Sequence, residues 1–432
     1  MTEASLQLNQ AGAASASAAA STWRTKLRAL GPGILMATAA VGGSHIVSST
    51  QAGAIYGWQL AILILLINLF KYPFFRFGTQ YTAESGLNLI EGYATKGKVY
   101  LFVYFVLNVF SAIVNTAGTG ILCAAILANI FPASWGLSIS QITTMIVVFI
   151  WGMLLLGGYR FLDGLSKWIM TALTIATVAA VIIALFTHRA YVPDFVPPSP
   201  WQLSALPFMV SLMGWMPAPI EISTLNSMWA VEKRKSVKVS EKDAMFDFNV
   251  GYIGTAILAF FFLALGALIQ YGNGEPVKSA SAAYIAQFVS MYATALGSWA
   301  RPLITVIAFL CIFGTVLTVI DGYSRANNEA LRLLLGREEA PKHSLAVWMT
   351  VVAGAGLVIV FLFSGTVSTL LRFAMIASFI TTPFFALLNY SLVSNKEHRL
   401  HGWLKWLSIV GLVYLFGFAL FFIVAMVMGV AY

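Results

Sequence analysis

The feature that most constrains this chain is an apolar run, residues 31–58, interrupted at its centre by Gly42-Gly43-Ser44-His45. The run is long enough to cross a bilayer, which takes about 20 helical residues. Each glycine costs a helix about 1 kcal/mol relative to alanine, so we expect the helix to break here. Backbone that leaves a helix at membrane depth is tolerated only where it is buried in protein or lines a cavity. The run therefore predicts a broken membrane helix beside a cavity.

A second apolar run, residues 204–229, is interrupted in a similar way. Pro217 and Pro219 lie near its centre, and proline removes a helix hydrogen bond and clashes with the preceding turn. The two interrupted runs align, since Ile46–Thr50 falls on Ile220–Thr224 at an offset of 174 residues. Paired breaks in two halves predict a transporter built from inverted repeats, with its substrate between the breaks.

Nine further apolar segments are long enough to span a bilayer. Only 9% of the 432 residues are charged, whereas a soluble domain has about 25%. We therefore expect an all-α integral membrane protein with eleven spans. The predicted spans are residues 31–57, 59–79, 99–128, 138–158, 166–187, 204–229, 247–271, 299–326, 345–364, 368–394 and 403–430.

The spans divide into two sets of five and one extra. We predict a disordered cytoplasmic tail over residues 1–30, a first repeat over 31–200, a second repeat over 201–395, and an eleventh helix with an outer C-terminus over 396–432. If the N-terminus is cytoplasmic, 21 of the 25 lysines and arginines fall on the inner side, as the positive-inside rule requires. That count places Lys71 at the inner end of the second span.

The charge and motif content exclude several functions. The net charge of +9 is explained by contact with the inner leaflet of an inner or plasma membrane, so no nucleic acid partner is expected. The sequence contains no Walker loop, no HExxH motif and no paired acids at catalytic spacing. Cys123 and Cys311 lie in apolar runs and support neither a disulfide framework nor a zinc site. We expect neither an enzyme nor a cofactor.

Four short motifs resemble the Nramp (natural resistance-associated macrophage protein) family. They are Gly31-Pro32-Gly33, Gln51-Ala52-Gly53-Ala54, Met216-Pro217 and Gly157-Gly158-Tyr159-Arg160. The similarity runs in register from about residue 30 to residue 395. The resemblance implies the LeuT-type fold, with two inverted five-helix repeats, broken helices 1 and 6, and transport of divalent metals usually coupled to protons.

The metal motifs of that family are altered in this chain. Gly42-Gly43-Ser44-His45 stands where the family has Asp-Pro-Gly-Asn, and Met216-Pro217-Ala218-Pro219 stands where it has Met-Pro-His-Asn. Thr381 stands where the family has a glutamine ligand. Mn²⁺ and Fe²⁺ prefer carboxylate, carbonyl and imidazole ligands, so the substitutions predict a different substrate.

A glycine-rich break resembles the carboxylate site of amino-acid transporters with the same architecture. There, backbone N–H groups at a half-helix N-terminus hold the carboxylate of the substrate. We therefore predict a secondary transporter of a small organic solute, a carboxylate or a zwitterion. The predicted substrate-binding residues are Gly42, Gly43, Ser44, His45, Met213, Trp215, Met216, Ala218 and Thr381.

Three ionisable residues are candidates for coupling transport to H⁺ or Na⁺. His45 titrates near neutral pH, or it is a neutral histidine bonded to a hydroxyl. Glu221 is an intramembrane carboxylate, which is a functional hypothesis by default. Asp321 lies beside Arg325 near the end of the eighth span, where it carries a proton or forms an interfacial ion pair.

Two other functions remain open at this stage. The first is a transporter of a divalent or soft metal ion whose ligands include His45 and Met216. The second is a sensor or channel that does not transport but uses the same scaffold. Paired breaks favour transport over sensing, and the absent family ligands favour an organic solute over a metal.

Overall fold

The structure is a computed structural model that describes residues 23–157, 160–187, 191–193, 195–279, 281–363, 367–394, 400 and 402–429. All regular secondary structure within those ranges is helical. The α-helices are α1 Trp23–Ala29, α2 Pro32–Ala40, α3 Thr50–Tyr56, α4 Ala61–Ser85, α5 Leu89–Lys96, α6 Lys98–Leu127, α7 Ile139–Leu155, α8 Arg160–Phe186, α9 Leu206–Trp215, α10 Ile222–Ser236, α11 Glu241–Ile269, α12 Ala282–Leu296, α13 Ala300–Leu334, α14 Ser344–Leu362, α15 Val367–Val393 and α16 Gly402–Val427.

All eleven predicted spans correspond to helices. The first span is divided into α2 and α3, joined by a π-helical turn over Ser44–Ser49, and the sixth is divided into α9 and α10. Eight of the remaining helices are long and apolar enough to cross a membrane, and α7 is a shorter apolar helix of 17 residues. The predicted all-α architecture with two broken helices is confirmed.

Three helices lie outside the predicted spans. Helix α5 lies in the connection 80–98, and α12 lies in the segment 272–298. Helix α1 is formed by residues of the predicted tail, where Lys26 Nζ lies 5.2 Å from the ring centroid of Phe246. This contact with the start of α11 accounts for order in the last part of that tail, and residues 1–22 lie outside the described chain.

Both halves of the first span are held by close crossings with α11. A Cβ on Gly53 would lie 1.9 Å from the Leu263 carbonyl oxygen, and one on Gly266 would lie 2.1 Å from that of Thr50. Gly33 and Gly251 approach each other in the same way beside α2. Small residues allow helix backbones to approach closely inside membranes, so these glycines hold α2 and α3 in place on either side of the break.

The start of α2 is capped by a side chain from another helix. The Asp247 carboxylate accepts hydrogen bonds from the N–H groups of Gly31 and Gly33, at 2.9 and 2.6 Å. Free N–H groups at a helix N-terminus attract negative charge. The motif Gly31-Pro32-Gly33 is therefore the point at which the first span docks on α11.

Candidate functional site

The break in the first span presents backbone donors. The N–H groups of Gly42, Gly43 and Ser44 form no hydrogen bond with any described residue. The Gly42 carbonyl accepts from the N–H groups of His45 and Ile46, at 3.1 and 2.9 Å, and so begins the second half-helix. Three unpaired N–H groups therefore lie together at the N-terminus of a helical segment that runs to Tyr56.

The break in the sixth span presents backbone acceptors instead. The Lys71 ammonium donates to the carbonyl oxygens of Met213, Gly214 and Ala218, at 2.7, 2.9 and 3.2 Å. Lys71 is fully buried in α4. Beyond the break, the first N–H groups of α10 bond to the carbonyls of the three residues preceding the helix, at 2.9 to 3.1 Å. The first turn of α10 is therefore paired, and three acceptors of the break are bonded to Lys71.

A cavity of about 30 Å³ lies between the two breaks. That volume is enough for about two water molecules. None of the lining residues is an aspartate, glutamate, histidine or cysteine, and no group of three such residues suited to a metal ion occurs among the described residues. The lining residues are Ala39, Ala40, Gly42, Gly43, Ser44, Asn115, Thr119, Trp215, Ala218, Pro219, Ile222, Thr315, Val319 and Tyr323.

Asn115 of α6 connects four helices at the wall of this cavity. Its amide oxygen accepts from the Trp215 indole N–H at 2.9 Å and from the Ser378 hydroxyl at 3.1 Å. Its amide nitrogen donates to the Tyr323 hydroxyl at 3.0 Å and to Glu221 Oε1 at 3.4 Å. One neutral side chain thus links the sixth-span break to α13 and α15.

Glu221 immediately precedes α10 and is buried. Its Oε1 atom accepts from the Tyr323 hydroxyl at 3.0 Å, whereas Oε2 has no hydrogen-bond partner among the described residues. The Ser111 side chain lies beside the carboxylate. A buried carboxylate oxygen without a donor is unfavourable by about 1–3 kcal/mol or more, which favours a carboxyl group that binds a proton.

Further buried polar atoms without a described partner extend from Glu221 along α6 and α13. Tyr104, Asn108 and Ser111 recur every three or four residues, so they share one face of α6 with Asn115. Asn108 donates to Asn327 Oδ1 at 2.7 Å. The unpaired atoms are the hydroxyls of Tyr104, Ser111, Thr224 and Ser324, Oδ1 of Asn108 and Nδ2 of Asn327. We call this set the polar row.

Five of the nine predicted substrate-binding residues line the cavity: Gly42, Gly43, Ser44, Trp215 and Ala218. The other four do not line it. Met216 lies in the apolar core, the Met213 sulfur accepts from the Tyr414 hydroxyl, and the Thr381 hydroxyl bonds to carbonyls of its own helix.

His45 lies behind the cavity wall with both ring nitrogens engaged. Nε2 is 3.0 Å from the Thr255 carbonyl oxygen, which only accepts, so Nε2 carries the proton. Nδ1 is 2.8 Å from the Ser44 hydroxyl. Among the other predicted coupling residues, Asp321 accepts from Arg325 Nε with both carboxylate oxygens, each at 2.9 Å. Only Glu221 joins the network around Asn115.

Sequence reasoning missed Lys71 and Asn115. The assignment of Lys71 to the inner end of the second span is wrong, because its ammonium is fully buried and bonded to the carbonyls of the sixth-span break. Both residues are polar positions inside long apolar runs, and this pattern could have identified them as candidate site residues. The partners Tyr323 and Ser378 carry no comparable signal, because hydroxyl residues are common in membrane helices.

Comparisons with known proteins agree on the family and the fold. The family model described as "Natural resistance-associated macrophage protein-like" matches residues 33–425. An uncharacterized protein of Pasteurella multocida is 59% identical over 406 residues, covering 93% of each chain. A divalent metal cation transporter, MntH, of Latilactobacillus sakei is 22% identical over 270 residues, covering 59% of this chain and 57% of that protein.

Two groups of solved structures share the fold. The Eremococcus coleocola manganese transporter superposes with a TM-score of 0.70 at 16% identity, covering 93% of this chain and 87% of that one. Mhp1, a nucleobase-cation-symport-1 family transporter with bromovinylhydantoin bound, superposes with a TM-score of 0.58 at 15% identity, covering 92% of each. These likenesses confirm the predicted LeuT-type fold.

Proposed function

We infer the function of this chain from the premise that it belongs to the Nramp family, whose members are membrane transporters and not enzymes. The predicted resemblance to that family is confirmed. We propose that the chain is a secondary-active transporter of a small organic carboxylate or zwitterion. The substrate binds between the two helix breaks, and its carboxylate accepts hydrogen bonds from the first break.

The single observation that carries this proposal is the set of unpaired N–H groups at Gly42, Gly43 and Ser44. Such groups, together with the positive end of the helix dipole, favour an anion. Gly42 and Gly43 carry no side chain, so a ligand can approach their backbone closely. The Trp215 side chain, which packs on Gly43, and Ala218 provide apolar surface in the same lining. A carboxylate with a small apolar body matches this distribution of donors and apolar surface, and its binding requires the cavity of about 30 Å³ to widen.

The lining of the cavity favours this substrate over a metal ion. Its only side-chain donors or acceptors are neutral amide, hydroxyl and indole groups, whereas a divalent ion without an anionic ligand leaves its charge uncompensated at low dielectric. The alternative ligands His45 and Met216 lie outside the lining. Metal transport is the activity named for the relatives from Latilactobacillus sakei and Eremococcus coleocola, and it remains the second candidate here.

Proton coupling through Glu221 is the second part of the proposal. Glu221 contacts the cavity wall through Asn115 and Tyr323, and its Oε2 atom begins the polar row. The polar row follows α6 toward Lys98, the first residue of that helix, which lies at the end of α6 that the sequence predicts to be cytoplasmic. A carboxyl group that is protonated at the cavity and discharges along this row couples transport to H⁺ without a bound Na⁺.

Ligand-induced stabilisation of the purified protein tests the substrate class. A ligand that binds only the folded state at 100 times its Kd stabilises that state by about 2.7 kcal/mol. We expect small carboxylates or amino acids in a screen to raise the unfolding temperature, and Mn²⁺ at matched ionic strength to leave it unchanged. Saturable uptake of Mn²⁺ into proteoliposomes, lost in His45→Ala and Met216→Ala, would instead establish the metal alternative.

A further inference from the structure

The sixth-span break contains a cation that belongs to the chain itself. Lys71 is fully buried near the middle of the 25-residue helix α4. An ammonium group has three donors and no acceptor, and all three find a carbonyl oxygen, at 2.7, 2.9 and 3.2 Å. The group is therefore bound in the manner of a coordinated ion, by backbone oxygens alone.

The helix break creates this arrangement of acceptors. Carbonyls in the last turn of a helix have no intrahelical partner, and the C-terminus of a helix carries partial negative charge. Met213 and Gly214 supply two such carbonyls at the end of α9, and Ala218 supplies a third from the irregular segment that follows. Pro217 and Pro219 prevent that segment from continuing the helix. The three carbonyl oxygens are therefore left at membrane depth without a partner from their own helix, and they require another hydrogen-bond donor.

The charge of Lys71 also has a partner nearby. Glu221, three residues beyond Ala218, interacts with Lys71 electrostatically, although the two form no direct ion pair within 4 Å among the described residues. Burying an isolated charge is strongly unfavourable. Three carbonyl oxygens make a buried ammonium tolerable, and Glu221 adds negative charge across the break when it has released its proton.

We propose that the carbonyls of Met213, Gly214 and Ala218 form a monovalent-cation site within the sixth-span break, and that Lys71 occupies it as a tethered cation. The site binds alkylammonium ions when the tether is removed. In the intact protein it is closed to free cations, because the Lys71 nitrogen occupies it. This inference concerns the sixth-span break alone and holds whichever substrate binds at the first.

Chemical rescue tests the proposal directly. Lys71→Ala removes three methylenes and the ammonium, which correspond in size to n-propylammonium. We expect Lys71→Ala to unfold at a lower temperature than the intact protein. We expect n-propylammonium to raise the unfolding temperature of this variant saturably by about 2–4 °C, with no rise in the intact protein.

Ile67→Ala provides the matched control. Ile67 is fully buried in α4 one turn before Lys71, so the substitution opens a comparable space without exposing the three carbonyls. Equal stabilisation of Ile67→Ala and Lys71→Ala by n-propylammonium would overturn the proposal, as would no stabilisation of Lys71→Ala.

A second pair of variants tests the site without an added ion. Lys71→Gln retains amide donors for the carbonyls, whereas Lys71→Met retains the length and loses every donor. We expect Lys71→Gln to unfold at a higher temperature than Lys71→Met. Equal or reversed unfolding temperatures would show that the carbonyls do not require a donor at this position, and would contradict the proposal even if Lys71→Ala does not fold.

Discussion

The two helix breaks are alike in sequence position and opposite in chemistry. In the first break, glycines at residues 42 and 43 leave three N–H groups without a partner. In the second break, prolines at residues 217 and 219 leave carbonyls that are taken by Lys71. The first break therefore leaves three donors unpaired beside the cavity, whereas three carbonyls of the second break are bonded to a lysine side chain. An inverted repeat can thus preserve its geometry while its two halves take different ligands.

This difference concerns the two motifs that differ from those of the family. The first break offers three N–H donors, and three carbonyl acceptors of the second break are already bonded to Lys71. Lys71 also places positive charge behind the Ala218 carbonyl, on the wall of the cavity. Both features support our proposal of an anionic group between the breaks.

The largest expected effect is the loss of the positive group from the second break. Lys71→Met leaves three carbonyls without a donor and Glu221 without its electrostatic partner. A buried polar group left without its hydrogen-bond partner costs about 1–3 kcal/mol, and three carbonyls lose theirs, so we expect a loss of several kcal/mol of folding stability in thermal or denaturant unfolding. The exposed pair Lys235–Glu232 provides the control, because Lys235→Met should change stability by less than about 1 kcal/mol.

The double variant Lys71→Met/Glu221→Gln sharpens that result. Removing both charges eliminates the uncompensated carboxylate, so the double variant should be more stable than Lys71→Met alone. A double variant that is the less stable of the two would mean that Lys71 and Glu221 do not compensate each other.

The next effect concerns the two glycines of the first break, which differ in surroundings. A Cβ on Gly43 would lie 2.7 Å from the Trp215 ring, whereas one on Gly42 would lie 3.5 Å from Thr315 Oγ1, in ordinary contact. Overpacking costs about 1–3 kcal/mol, so Gly43→Ala should lower stability and move Trp215, which indole fluorescence would report. Gly42→Ala should change stability little. The control Gly254→Ala should also change it little, because a Cβ on Gly254 would have no atom within 4 Å. Equal losses at residues 42 and 43 would contradict the described packing of Trp215.

Glu221→Gln separates coupling from binding. The substitution retains the shape of the side chain but cannot release a proton. If Glu221 carries the coupled proton, substrate affinity should change little while the pH dependence of uptake into proteoliposomes is lost. A large loss of affinity with an unchanged pH profile would instead indicate that Glu221 pairs with an ammonium group of the substrate.

The smallest expected effect is that of Ser44→Ala. The hydroxyl contacts His45 Nδ1, whereas the proposed substrate contact uses the backbone N–H, which alanine retains. We expect the binding free energy of the substrate to weaken by no more than the contribution of one hydrogen bond. That contribution is about 0.5–1.5 kcal/mol, or up to 3 kcal/mol if the hydroxyl also contacts a charged group. Complete loss of binding in a folded Ser44→Ala variant would assign the main contact to the side chain.

Local sequence patterns predicted most of the fold. Apolar length located all eleven spans, and the glycine pair and the proline pair located both breaks, because each acts on its own helix. The sequence could not predict which side chains meet between helices. Lys71, Asn115 and Tyr323 lie on three different helices, and their contacts depend on crossings such as Gly53 with Gly266 rather than on any pattern within one helix.

The site residues predicted from backbone chemistry line the cavity, whereas several of those chosen for their side chains do not, and the binding role of both stays a prediction. Gly42, Gly43 and Ser44 line the cavity because a helix break places its own residues there. His45 was selected for its chemistry, yet the π-helical turn directs its ring to the Thr255 carbonyl. The repeat boundaries at residues 31–200 and 201–395 and the orientation of the termini stay predictions. Residue 395 lies outside the described chain, as does the Gly158-Tyr159 part of one family motif. Arg189 and Arg399, two of the 25 basic residues counted for the predicted orientation, also lie outside it.

The most direct test of the central claim is to locate a carboxylate that carries a heavy atom. Crystals of the protein would be grown with a small bromo-carboxylate or with Mn²⁺, and anomalous scattering would locate each. We predict a bromine peak in the cavity between the breaks, with the carboxylate oxygens about 2.7–3.2 Å from the nitrogens of Gly42, Gly43 and Ser44. A Mn²⁺ peak between the breaks, with no bromine there, would contradict the account.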